Sequence, residues 1–278
     1  MKRFILLLII ALVLGFTTTA QQFKPNTEIG VLLGASYYLG DLNTTHFNQP
    51  LFGGGVVIRR NIDKRFTYKA ELMYLNLKAD ERGSKDTIAY SRGLHFRSPV
   101  YEISAQLEFN FFPYQPGNPL YTWTPFVYTG VSLFSFNPQA ENRNGQWVDL
   151  QELGTEGQGT TAFPNRDQYA LIEFAIPMGG GFKIAINKSF NIVLEYGARR
   201  TFTDYLDDVS TTFIGSSPAL PSSDYPIEMS VEAQEMSDPL GTHSNKMERG
   251  NPEDNDWYSF VGITLSFKLN NNTKGCYP

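Results

Sequence analysis

The sequence predicts an all-β protein, an eight-stranded up-and-down antiparallel barrel that crosses a membrane and carries long loops on its outer side. Three observations predict it. Eight segments alternate apolar and polar side chains, each about ten residues or slightly longer, the length a tilted strand needs to cross a bilayer. The connections between them alternate between short and long. The chain also opens with an export leader.

In the leader, Lys2 and Arg3 precede an apolar run over residues 4–14, too short to span a membrane as a helix. Thr18, Thr19 and Ala20 supply small residues, so cleavage is expected after Ala20, leaving one barrel domain over 21–278. No cysteine follows the run, which argues against a lipid-anchored precursor. An uncleaved anchor is the bland alternative.

The eight strands follow in order. At 28–38, Ile29, Val31, Leu33, Ala35 and Tyr37 share one face, with Gly30, Gly34 and Ser36 on the other, interrupted by Leu32. Residues 52–60 are glycine-rich, with Val56 and Ile58 opposite Gly55 and Arg59. The third, 66–77, sets Tyr68, Ala70 and Leu72 against Thr67, Lys69 and Glu71. The clearest is 101–111, where Tyr101, Ile103, Ala105, Leu107, Phe109 and Phe111 alternate with Glu102, Ser104, Gln106, Glu108 and Asn110. Side chains alternate faces along a strand, whereas on a helix these residues would scatter around the axis. Alternation also marks 125–136, 174–186 and 190–201, the last with Ile192, Leu194, Tyr196 and Ala198 opposite Glu195, Gly197 and Arg199. The last strand, 257–269, puts Val261, Ile263 and Leu265 on one face.

Short connections at 61–65, 113–124 and 187–189 belong on the periplasmic side. Long loops near 39–51, 78–98, 137–170 and 202–256 belong outside, and an even strand count leaves both termini periplasmic. The Ser-, Pro- and acid-rich stretch at about 209–256 reads as a mobile outer loop.

A soluble ligand-binding barrel would point its apolar face inward. Here the polar face carries glycines and mixed charges, which suit a narrow filled bore. Lys69, Glu71, Glu102, Glu108, Lys183, Glu195 and Arg199 are therefore predicted to form an interior charge network. Glu102 and Glu108 should find partners among Lys69, Lys183 and Arg199. Tyr37, Tyr74, Phe111, Phe112, Tyr114, Trp123 and Trp257 lie near strand ends, as interfacial girdles require.

Composition excludes several classes. Loss of Lys2 and Arg3 reduces 23 basic side chains to 21 against 28 acidic, a formal charge of −7, which disfavours nucleic acid. The lone Cys276 permits no internal disulfide. No catalytic residue, metal site, cofactor or small-molecule substrate is predicted. His46, His95 and His243 fall in separate outer loops. His95 near Ser91 or Ser98 imitates a lipid A-modifying site only by proximity. Asp204, Asp207 and Asp208 could ligate calcium, but a turn whose carboxylates cap backbone amides explains them better. Gly154–Gly159 lacks the lysine of a phosphate loop.

Five strings carry a family resemblance: E-I-G-V-L-L-G-A-S-Y-Y-L-G-D-L-N (28–43), F-R-S-P-V-Y-E-I-S-A-Q-L-E-F-N-F-F-P-Y (96–114), F-N-P-Q-A (136–140), L-G-T-E-G-Q-G (153–159) and R-R-T-F-T-D-Y-L-D-D-V-S (199–210). Together they resemble the PorG-like outer-membrane proteins of Bacteroidota, barrels of OmpA/OmpX-like size. The resemblance singles out Tyr38, Asp41, Glu156, Gln158, Asp204, Asp207 and Asp208 as motif loop residues. It implies a non-enzymatic role in type IX protein secretion, and in some species gliding, beside a periplasmic ring of PorK-like lipoprotein and PorN-like subunits. Ring contacts would then fall among Asp63, Lys64, Tyr114, Tyr121, Trp123 and Lys188, with outer-membrane lipid around the barrel. The rival reading is a surface-binding or adhesion barrel acting through its outer loops.

Overall fold

A computed structural model describes residue 23 and residues 25–215 and 228–269 of the chain. The predicted leader, most of 21–25, and the tail 270–278 with Cys276 lie outside the described residues.

Eight long strands close on themselves: β1 (Asn26–Leu39), β2 (Leu51–Asn61), β3 (Phe66–Asp80), β4 (His95–Asn110), β5 (Trp123–Phe136), β8 (Ile172–Ala185), β9 (Phe190–Thr201) and β10 (Trp257–Leu269). Each pairs antiparallel with its neighbours in sequence, and β1 pairs with β10 from Thr27↔Leu269 to Leu39↔Trp257, so no edge is left open. Closure is what lets strands cross hydrocarbon, because every backbone N–H and C=O finds a partner in the wall. Among the described residues no helix is long and apolar enough to span a membrane.

The register follows the alternation in β4. Tyr101 is 60% and Ile103 55% exposed, while Glu102 is 3% exposed and Glu108 fully buried. Val31, Val56, Leu72, Val131 and Phe267 continue the exposed apolar belt on other strands. An uncovered belt of this kind around a closed barrel is the lipid-facing surface of a transmembrane barrel.

Long loops gather at one end and short turns at the other, and both described chain ends lie with the short turns. β3 and β4 are longer than their alternation suggests. They continue as a hairpin to Asp80↔His95, beyond the belt, where outward Lys78 and Arg97 break the apolar face.

The long loops fold into a compact cap. They contain a small hairpin, β6 (Gln139–Glu141) with β7 (Trp147–Asp149), and three short helices, α1 (Thr87–Arg92), α2 (Leu150–Leu153) and α3 (Val231–Ser237). The described part of the stretch expected to be a mobile loop is built into this cap. Val209, Phe213, Ile214, Met236 and Arg249 are buried within it. The reason is local: Phe213 and Met236 complete the apolar cluster that includes Leu206 and Leu150.

Candidate functional site

The bore is filled from end to end. At the short-turn end, Asn61 and Asn191 donate to Glu28 at 2.6 and 2.9 Å. Above them lies a layer of charges. Arg59 bridges Glu108 at 3.0 Å and Glu195 at 2.8 Å, while Lys183 meets the other oxygen of Glu108 at 2.5 Å. Lys69 pairs with Glu71 and Glu195 at 3.0 and 3.2 Å and lies 3.9 Å from the centroid of the Tyr128 ring. Arg199 pairs with Glu102 at 3.1 Å, and the Tyr258 hydroxyl donates to the same carboxylate at 2.8 Å.

All seven charges expected inside are there. Glu102 meets Arg199, and Glu108 meets Lys183, with Lys69 at 3.8 Å. The seven leave out the charge with the shortest pair to Glu195, Arg59. Its position opposite outward Ile58 marked it as inward, but the glycine run before it blurred the strand. Toward the cap the bore becomes apolar, packed with Leu75, Leu77, Phe96, Phe134 and Phe260. There the inward face stops being polar, so alternation alone misses it.

The cap brings the motif residues together. The Tyr38 hydroxyl stands 2.6 Å from Asp207 and 2.6 Å from Asp256. One hydroxyl proton is shared between two carboxyl groups here, an arrangement that a proton on either carboxyl strengthens. Asp207 also caps Val209 N at 2.9 Å, and Asp256 caps Leu206 N at 2.9 Å. Gly40 sits where any side chain would collide with Asp256 and the Tyr38 ring.

Glu156 is the second hub. It accepts Ser210 N at 2.9 Å, Thr211 N at 3.0 Å and Arg249 at 3.0 Å, while Gln158 accepts Glu156 N at 2.9 Å. Asp208 accepts Thr155 at 2.5 Å and Tyr169 at 2.7 Å, and Asp41 accepts Asn251 N at 3.1 Å. Asp204 is buried, and the Ser210 hydroxyl is the polar neighbour that eases its charge. Burial, helped by the nearby charges of Asp41 and Glu156, raises its carboxyl to about 8. Burial also raises Asp41 and Asp208 to about 6 each, against the pull of Asn251 N and Arg92 on the first and Arg249 on the second. Asp207 and Asp256 shift upward for the same reason. Among the described residues, no group of three His, Cys, Asp or Glu side chains is arranged to hold a metal ion.

The histidines are not all solvated loop residues. His95 opens β4, is buried, and accepts Glu141 N at 3.0 Å. His243 is buried, stacked on Phe213 and bonded to Asp238 at 3.1 Å. Ser91 donates to Ile88 O and Ser98 accepts Asn137 N, and among the described residues neither hydrogen-bonds to His95.

The short-turn end corrects one candidate. Tyr114 is 1% exposed and plugs the bore, its ring centroid 5.8 Å from the Lys183 ammonium. It folds inward because its backbone N–H is tied to Lys64 O at 2.9 Å. It is therefore not a surface contact, nor part of an interfacial girdle. Tyr37 leaves the girdle too, buried beneath Phe47 and bonded to Tyr196 at 2.9 Å. Trp123 is exposed against Phe112, Lys64 covers the Tyr121 ring at 4.6 Å, and Asp63 and Lys188 are exposed on turns.

The family model described as "Domain of unknown function (DUF6089)" matches residues 2–213. The chain belongs to this family. The DUF6089 match takes in β1 through β9 and the loop with Asp204, Asp207 and Asp208, and stops before α3 and β10. Among solved structures, the chain is similar to Ail, the attachment invasion locus protein of Yersinia pestis (7% identity, 89% of this chain and 100% of that chain, TM-score 0.42). It is also similar to Neisserial surface protein A (8%, 89% and 100%, TM-score 0.42). A third is the outer membrane protein OprG from Pseudomonas aeruginosa (9%, 88% and 94%, TM-score 0.36). No curated protein matches the chain.

Proposed function

We propose that this chain is a non-enzymatic outer-membrane component of the type IX protein secretion machinery, and of gliding where the machinery drives it. In this reading it anchors or positions a periplasmic ring of PorK-like lipoprotein and PorN-like subunits. The short-turn end then faces the periplasm and the cap faces the exterior.

The observation that carries the reading is the filled bore. Arg59, Glu108, Lys183 and Glu195 bridge opposite walls, Tyr114 closes one end and the cap closes the other. A polypeptide has no passage through it, so the barrel serves secretion as a fixed body rather than as the channel. The five strings resembling PorG-like proteins supply the machine. Their motif residues fall in one hydrogen-bonded cap, which supports their belonging to a single structural feature.

Gentle solubilisation of membranes carrying an affinity-tagged barrel tests this. Ring subunits should co-purify with it. Recovery of only extracellular or host-surface proteins would instead favour the surface-binding reading, to which the ordered cap with exposed Ile88, Tyr90 and Leu240 lends itself.

A further inference from the structure

At the short-turn end, charge departs from the rest of the molecule. The chain has a formal charge of −5. Yet this rim presents Arg60, Lys64, Arg65, Lys188 and Lys268, and among the described residues its acids are the exposed Asp63 and Glu28, which is buried in the bore and bonded to Asn61 and Asn191. Asp63 is committed to its own turn, accepting Arg65 N at 2.6 Å and Phe66 N at 2.8 Å. None of the five basic residues makes an ion pair among the described residues, whereas every charge of the bore's central layer is paired.

Two of these lysines flank a hollow of about 470 Å³ lined by residues 115–119 with Lys188 and Lys268. The connector holds its shape through Asn118 N on Gln115 O and Tyr121 N on Asn118 O, and Gly117 packs on Lys188. Lys268 continues the inward series Thr264 and Ser266 and reaches Pro116 O at 3.4 Å. The hollow therefore opens over the end of the bore, not onto the lipid belt. Leu120, which follows the lining residue Pro119 in the chain, is 81% exposed and offers an apolar contact on the same connector.

We propose that this hollow seats an acidic segment of a periplasmic protein partner, its carboxylates against Lys188 and Lys268 and an apolar side chain on Leu120. This rests on the short-turn end being periplasmic. It also narrows the contact from six scattered candidates to one face, keeping Lys188 and leaving Trp123 to the bilayer interface. Unpaired lysines set around a pocket select carboxylates and speed encounter through long-range attraction.

The test uses the full-length barrel in neutral detergent, with wild type and K188E/K268E checked for heat-modifiable migration as a sign of folding. A fluorescent peptide alternating Glu and Leu is the probe, and K246E, at the opposite end, is the control. Wild type and K246E should bind the peptide saturably and more weakly as salt rises. The double reversal should weaken binding about tenfold or more. Absence of saturable binding, or equal binding by the double reversal, overturns the inference. So does a reversal that changes only recovery on phosphatidylglycerol vesicles, since the lysines would then serve lipid. Ring co-purification is scored in parallel. If the peptide binds wild type but no ring subunit does, the acidic-segment site stands and the secretion reading fails.

Discussion

At the scale of single residues, Glu108 is where the interior is most exposed to a mutation. It is fully buried and answers Arg59, Lys183 and, at longer range, Lys69. Truncating it leaves basic side chains inside with their desolvation uncompensated. Glu108→Ala should therefore cost about 3–5 kcal/mol, read as a lower urea midpoint for unfolding in lipid vesicles. Asp80→Ala, which breaks an exposed pair with Arg82 at 2.8 Å, should cost about 1 kcal/mol or less. Equal losses would mean the interior pairs contribute no more than surface ones. Glu108 and its basic partners Lys69 and Lys183 were legible in the sequence because strict alternation gives each strand residue a side. Arg59 was less legible, since three glycines early in its strand, Gly53 to Gly55, carry no pattern. Tyr114 was misread for a physical reason: an aromatic on a connector suits an interface or a plug equally, and only the path of the backbone decides.

Among the elements, the strands were the readable part. β9 and β10 have the bounds their alternation indicates, because a tight turn or a tryptophan marks the end. The cap was not readable. Its helices are short, and its composition resembles that of unstructured chain. Its order comes from contacts distant in sequence, such as Arg249 with Glu156 and Tyr38 with Asp207 and Asp256. The same contacts make it sensitive to pH. Asp204, Asp41 and Asp208 all titrate higher folded than unfolded, so the folded cap holds protons that the unfolded loops release. Their contribution is greatest below about pH 4 and declines as pH rises through 6 and then 8. Limited proteolysis should accordingly cut the loops over residues 202–256 faster at pH 9 than at pH 6, with the strands protected at both. Faster cutting at the lower pH would contradict the protonated cluster.

As a whole the described molecule is a solid post: lipid-facing outside, ion-paired inside, closed at both ends. One end presents a basic hollow, and the other an acidic cap held by protons and Arg249. The alternation predicts the post; the proposal for what it holds rests on strings that resemble those of PorG-like proteins and on the hollow at its base. The central claim is that no path runs through it. Reconstitution of the purified barrel into planar lipid bilayers tests this most directly. The account predicts no steady conductance above the bare bilayer across the voltage range the membrane tolerates. Stable, reproducible open-channel steps from the folded wild-type barrel would contradict it.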